Sequence, residues 1–266
     1  MKQFKYVIIN SALLYVTTAV LEMILHECSH FLAAFYFDAK ELSLHHNFVN
    51  YDDGNLSIHQ KIWIASAGPM MSLFIGLLFH WIVVKSKKRN SLFLFNVFMS
   101  VNGYIGFLGY LMIAPLTTSG DTGFVFHALG FPFWVVILIA IIGLLMLYFI
   151  IKNLTKHFVE MASIEIIENK NQRRIFVQAI IQYPIYICVV FMMLLNLPVQ
   201  IWVSLMPAFS YFSLFYAYGD ALNKNYSDLN YNKEFDLLNN IQPAIIIVFV
   251  FVVILNRLLV NGFYFH

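Results

Sequence analysis

The chain has 266 residues, of which 61% are hydrophobic and only 11% are charged. An ordinary soluble domain carries about a quarter charged residues, so the composition excludes a typical soluble protein. Apolar runs of about twenty residues recur and predict membrane spans, which must be helical in lipid. The net charge of +2 gives no reason to expect a nucleic-acid partner. The two cysteines, Cys28 and Cys188, lie on different apolar segments and imply no disulfide framework.

The first apolar run, at residues 4–37, is predicted to be a helix and contains His26-Glu27-Cys28-Ser29-His30. Residues four apart are neighbours on a helix, so His26 and His30 can bind one metal ion. Glu27 is then placed as the general base on a metal-bound water, as in zinc hydrolases. Three unpartnered polar groups are costly in an apolar helix. This cost favours a metal site over ordinary solvated residues.

Glu22 lies one helical turn before His26, on the same face. It could accept a hydrogen bond from a ligand histidine, or pair with a polar group on another helix. Both alternatives stay open. Cys28 and Ser29 are expected to pack rather than to bind the metal.

Residues 38–60 form the next, more polar segment. Apolar and polar side chains alternate over residues 41–48, which is a strand period, and Asp53-Gly54 is a hairpin signal. We therefore predict a short β-hairpin at the membrane surface after the first helix. His45, His46 and His59 lie in this segment and are expected to be solvated rather than to be ligands.

The later apolar runs complete the predicted architecture. Further spans are predicted at residues 62–84, 92–115, 133–151, 175–195, 199–218 and 241–260. The first of these contains Ala67-Gly68-Pro69, where small residues let helices approach closely. The fold class is thus an all-α membrane protein: a bundle of six to seven transmembrane helices with the hairpin after the first.

The third metal ligand is expected in the loop at residues 116–123. A zinc site with two histidines needs one more protein ligand and leaves the fourth position to water. Asp121 is the only acidic residue between Asp53 and Glu160, so it is the obvious donor. The alternative is that Asp121 caps a short helix at residues 124–129.

The distribution of Lys and Arg supports a common location for the two histidines and Asp121. Seven spans with the N-terminus inside place all but three of the 16 Lys and Arg residues on the cytoplasmic side, the exceptions being Lys40, Lys61 and Arg257. The same count brings the end of the first span and the Asp121 loop to one half of the membrane. It predicts that this half is the outer one.

Three signals, in order, resemble the site-2 protease family of intramembrane zinc metalloproteases: His26-Glu27-Cys28-Ser29-His30, Ala67-Gly68-Pro69 and the aspartate-glycine loop at residues 121–123. The resemblance covers residues 1–150, which it implies are a catalytic membrane core, and leaves residues 151–266 as a C-terminal transmembrane extension of unknown role. It implies one Zn²⁺ per chain held by His26, His30 and Asp121, with Glu27 as the catalytic base. It also implies a membrane protein or peptide as substrate, and a multi-pass location in a lipid bilayer such as the bacterial cell membrane.

The chain departs from the family pattern at several positions. Ser72 stands where the family has asparagine, and Thr122 replaces a glycine. The asparagine and second proline that precede the family's aspartate are also missing. Bacterial relatives usually open their site towards the cytoplasm, which is opposite to the side that the charge count predicts.

Two other functions are open at this point. A membrane diiron oxygenase needs several histidine clusters, and only His26/His30 and His45/His46 qualify. A catalytically silent scaffold or a metal transporter is the second. Transport would call for acidic or histidine pairs along several spans, and the later spans have almost none.

Overall fold

The computed structural model describes residues 4–118, 120–197, 206–226, 237 and 240–265. These residues form a helical bundle with a small sheet at one end. The elements in chain order are α1 (Lys5–Tyr36), β1 (Lys40–Leu44), β2 (Val49–Asp52), α2 (Ile58–Lys85), α3 (Ser91–Ile113), α4 (Asp121–Ala128), α5 (Phe133–Val159), α6 (Ile164–Glu168), α7 (Lys170–Val177), α8 (Tyr183–Leu195), α9 (Met206–Ser210), α10 (Phe215–Asn223), α11 (Pro243–Leu258) and β3 (Phe263–Tyr264).

Six helices among the described residues are long and apolar enough to cross a membrane, and they confirm that the apolar runs predicted near them are helical. They are α1, α2, α3 with the short turn after it, α5, the continuous run from α7 to α8, and α11 with its last turn. Large apolar side chains on α5, including Trp134, Ile141 and Phe149, are exposed on the outside of the bundle. This surface is consistent with an integral multi-pass membrane protein, because a soluble bundle would place polar groups there.

Helix α1 lies at the centre of the bundle, where it packs against α2, α3, α8 and α11. Helices α2 and α3 approach each other most closely at their glycines. A β-carbon at Gly103 would overlap the backbone nitrogen of Gly76, so glycine at this position permits direct backbone contact. The close packing fixes the positions of three helices, and each of them contributes side chains to the site described below.

The predicted hairpin after the first helix is confirmed, but its turn was wrongly assigned. Strands β1 and β2 pair antiparallel, and the backbone N–H of His45 donates to the carbonyl of Phe48, so the chain reverses at residues 45–48. Asp53-Gly54 instead lies in the turn that leads into α2, where the N–H of Leu56 donates to the carbonyl of Asp53. The alternation of apolar and polar residues continues through the turn at residues 45–48, which contains no Gly that would mark it.

A third strand, which was not predicted, completes the sheet in the order β2-β1-β3. Ser43 pairs with Tyr264 and Leu44 with Phe263, so the last part of the chain adds to the hairpin. Phe263 and Phe265 also contact Phe31 and Phe35 of α1. The C-terminal residues thus attach to the same end of the bundle as the end of α1.

The predicted span at residues 199–218 lies partly outside the described residues. Its described part is broken into α9, a 3₁₀ turn at Tyr211–Leu214 and α10, each shorter than a membrane span. The described residues before and after this gap reach opposite ends of the bundle. The carbonyl of Asn196 accepts a hydrogen bond from His46 at the hairpin end, whereas the carbonyl of Ala221 accepts one from Arg173 at the other end.

A buried ion pair lies at the end of the bundle opposite the sheet. The Arg89 guanidinium donates to the Glu160 carboxylate at 2.8 Å, and His157 Nδ1 lies 3.0 Å from the same oxygen. Burial alone would raise the pKa of Glu160, but the hydrogen bond from His157 and the charges of His157 and Arg89 outweigh it and hold the pKa below its ordinary value. The cluster joins the α2–α3 connection to the end of α5.

Candidate metal centre

Helix α1 places His26 and His30 on one buried face. Their Nε2 atoms are 3.1 Å apart, and their ring centroids are 4.8 Å apart. His26 and His30 lie ten and six residues before the end of α1 at Tyr36, so they are about 15 Å and about 9 Å along the helix from that end. The site therefore sits within the apolar length of the bundle rather than at its tip.

Gly68 on α2 is required by the two histidines. A β-carbon there would overlap His30 Nε2 and His26 Nε2, so any other residue would push one of the rings away. Helix α2 continues through Pro69. The Ala67-Gly68-Pro69 segment thus allows the backbone of α2 to lie directly beside the metal-binding atoms.

The inner nitrogen of each histidine is held by a neighbouring group. His30 Nδ1 donates to the Ile64 carbonyl at 2.6 Å. His26 Nδ1 lies 2.9 Å from Ser72 Oγ, and that hydroxyl donates to Glu22 Oε1 at 2.5 Å. With both Nδ1 atoms protonated, the Nε2 lone pairs are free, as in most histidine metal ligands.

These hydrogen bonds also decide between the two alternatives for Glu22. The structure confirms the second alternative for Glu22, because its carboxylate accepts a hydrogen bond from Ser72 on α2. The same hydroxyl lies beside His26 Nδ1, so Glu22 reaches that histidine only through Ser72. The glycine-rich face of α3 leaves room for this contact, since a β-carbon at Gly106 would overlap Glu22 Oε1. Ser72 is therefore a bridge between Glu22 and His26.

Asp121 completes the group. Its Oδ2 lies 3.0 Å from His26 Nε2 and 3.2 Å from His30 Nε2. It is the first residue of α4, and the N-cap position belongs to Gly120, so the Asp121 side chain faces the histidines rather than capping the helix. Thr122 anchors α4 by donating to the carbonyl of Tyr110 at 2.7 Å.

The donor set fits a divalent metal ion. Two imidazole nitrogens and one carboxylate oxygen lie within 4.8 Å of one another, and their separations are 3.0–3.2 Å. Bonds of about 2.0–2.1 Å place the ligands of a tetrahedral metal about 3.3 Å apart, which is close to these distances. Three ligands leave one position open.

Glu27 is buried beside this group, between two cavities. One cavity, of about 350 Å³, lies between α1, α3 and the C-terminal extension; the other, of about 470 Å³, lies between α1, β2 and α4. Glu27 and Tyr110 line both. The Tyr110 ring stacks on His26 with centroids 4.9 Å apart, a contact that no sequence motif indicated.

The other histidines of the hairpin region have separate roles, and the expectation that all three are solvated is wrong for His46, which is buried. His45 stacks on Phe48 at 4.2 Å between ring centroids, and His46 Nε2 donates to the Asn196 carbonyl at 3.2 Å. Burial lowers the pKa of His46. Among the described residues, the group that could hold a metal includes neither these two histidines nor His59.

Comparisons of the chain with protein-family models, with curated proteins and with solved structures return no match.

Proposed function

We propose that this protein is an intramembrane zinc metalloprotease of the site-2 protease type, which hydrolyses peptide bonds of membrane-embedded or membrane-proximal proteins. The observation that carries the proposal is the convergence of His26, His30 and Asp121 with Glu27 at the junction of two cavities. Two histidines, a carboxylate and an open position are a donor set of catalytic zinc sites. The six long apolar helices support an integral, multi-pass location.

A zinc ion bound there would polarise the scissile carbonyl and make water nucleophilic near neutral pH. Glu27 accepts the proton of the attacking water and returns it to the leaving amine. Its position next to His26, at the edge of both cavities, puts the carboxylate within the space that a substrate would enter. The Glu22–Ser72 pair keeps His26 in the tautomer that a metal requires.

The substrate has to be extended at the site, because a helix hides its carbonyls in its own hydrogen bonds. Strand β2 is at an edge of the sheet, and its residues Val49 and Tyr51 line the same cavity as Glu27 and Asp121. An unwound substrate segment can therefore add to β2 as a further strand. Backbone hydrogen bonds along β2 would then offset the cost of unwinding the substrate.

The test compares cells that make the wild-type chain with cells that make Glu27→Gln. Glu27→Gln should keep its zinc, and full-length membrane proteins should co-purify with it. Proteins that are shortened in wild-type cells should be intact in cells that make this variant. Glu168→Gln, on the exposed surface of α6, is the matched control and should behave as wild type. If Glu27→Gln cells contain the same shortened proteins as wild-type cells, the proposal is wrong.

The same experiment separates the other functions. Bound zinc without any difference between wild type and Glu27→Gln would favour a metal-binding transporter or scaffold. Absence of bound metal from the purified wild-type chain would favour a scaffold.

A further inference from the structure

We infer that the cavity between the core and the C-terminal extension holds a large apolar side chain of the substrate, next to the scissile bond. This inference rests on the proposed function. It gives residues 151–266 a role in substrate selection, which their sequence did not indicate.

The cavity joins the site directly. His26, Glu27 and Tyr110 are part of its wall, and Glu27 and Tyr110 also line the cavity beside β2. A peptide that runs along β2 therefore passes Glu27 before it reaches the cavity between the core and the extension. The residue just past the scissile bond is the one whose side chain enters it.

The lining of the cavity is largely apolar, and a third of its residues come from the extension. The core contributes Met23 and Ile105, and the extension contributes Met192, Phe209 and Tyr211. Its volume of about 350 Å³ is at the lower end of the range of about 300–1,000 Å³ for small-molecule sites. This is enough for a large apolar side chain together with the backbone that carries it.

Three asparagines argue for a peptide as the occupant rather than a lipid chain. Asn47, Asn102 and Asn196 line the cavity, and the amide oxygen of each is buried without a hydrogen-bond partner among the described residues. The amide nitrogens of Asn102 and Asn47 donate to Thr18 Oγ1 and to the Asn196 carbonyl, so it is their oxygens that lack a partner. The N–H groups of an unwound peptide would satisfy these oxygens, whereas an acyl chain has no donor.

Gly109 of the core and Ala208 of the extension are small residues in the lining of the cavity. A larger side chain at either position would reduce the volume of the cavity. A β-carbon at Gly109 would lie 3.7 Å from the β-carbon of Ser210, which is an ordinary contact. A larger side chain at Gly109 therefore fits at its base and extends into the cavity. Ala208 is buried on the opposite wall, within the extension.

The test uses three peptide hydroxamates that differ in one side chain: alanine, leucine or 2-naphthylalanine. Hydroxamates bind to zinc, and their affinity for the zinc-loaded full-length chain in detergent is measured by calorimetry. Wild type should bind the naphthyl compound at least about tenfold more tightly than the alanine compound, because an apolar pocket discriminates by about 10–200-fold per methylene. In Gly109→Leu and in Ala208→Leu this ratio should fall to about two or less.

Gly219→Leu is the matched control, since nothing lies within 4 Å of a β-carbon at Gly219. It should keep the wild-type ratio, and the zinc content of each variant shows whether it has folded. An equal affinity of wild type for all three compounds, or an unchanged ratio in both filled variants, would overturn the inference. Its failure can be told from that of the proposed function: shortened membrane proteins in wild-type cells without any size preference would refute the subsite alone. A size preference without any shortened protein would refute proteolysis alone.

Discussion

Replacing Gly68 by alanine should weaken zinc binding, because the new methyl group would occupy the space of the two ligand nitrogens. The β-carbon would overlap Nε2 of both His30 and His26. To make room, one ring must leave its place and break its Nδ1 hydrogen bond, either to the Ile64 carbonyl or to Ser72. One such bond contributes about 1 kcal/mol.

A displaced ring is also a misaligned ligand, which adds at least a similar amount. We therefore expect a loss of about 2 kcal/mol in zinc binding, or about thirtyfold in affinity. The assay is competition between the purified protein and a chelator of known affinity. Gly219→Ala, at an open helical position, is the control and should bind zinc as wild type does. If folded Gly68→Ala binds zinc with wild-type affinity, the histidines do not form the site as described.

Three other predictions concern the contacts around the site and the stability of the bundle. Ser72→Ala removes the bridge from Glu22 to His26 and should reduce zinc affinity by about 10–100-fold in the same competition assay; Ser100→Ala, which removes a hydrogen bond to Gly76 in the same helix interface, should not. Because the pKa of Glu160 is held below its ordinary value of 4.5, its stabilising contribution is full above that pH and is lost as the pH falls through the folded-state pKa. Thermal unfolding of wild type in this acidic range should thus shift more than that of Glu160→Gln, and equal shifts would contradict the role of the ion pair. Removal of metal by a chelator should lower the unfolding temperature of wild type, since metal at a hundred times its dissociation constant contributes about 2.7 kcal/mol, but should leave Asp121→Ala unchanged.

The long helices could be predicted from the sequence because their apolar runs are continuous and long. The turn at residues 45–48 could not, since the alternating pattern runs through it and no Gly or Asn-Gly pair marks it. Strand β3 is two residues long and exists only because the chain returns to β1. No local pattern reports such a pairing.

The proximity of His26 and His30 could be predicted because a helix brings residues four apart together. Asp121 followed from the need for a third ligand and from the scarcity of acidic residues, although a helix cap was the simpler interpretation of its local sequence. Ser72 and Tyr110 were missed as parts of the site, because their contacts with His26 come from other helices. The glycines on α2 and α3 were the available sequence signal for these contacts. Gly68 and Gly106 lie where the two helices pack directly against the side chains of the site.

The most direct test of the metal centre is X-ray absorption at the zinc edge, together with the zinc content of the purified wild-type chain. We expect one zinc per chain, with nitrogen and oxygen ligands at about 2.0–2.2 Å and the signature of two imidazoles. A sulfur ligand at about 2.3 Å, which Cys28 would have to supply, or zinc that stays bound in a variant lacking both His26 and His30, would contradict the proposed site.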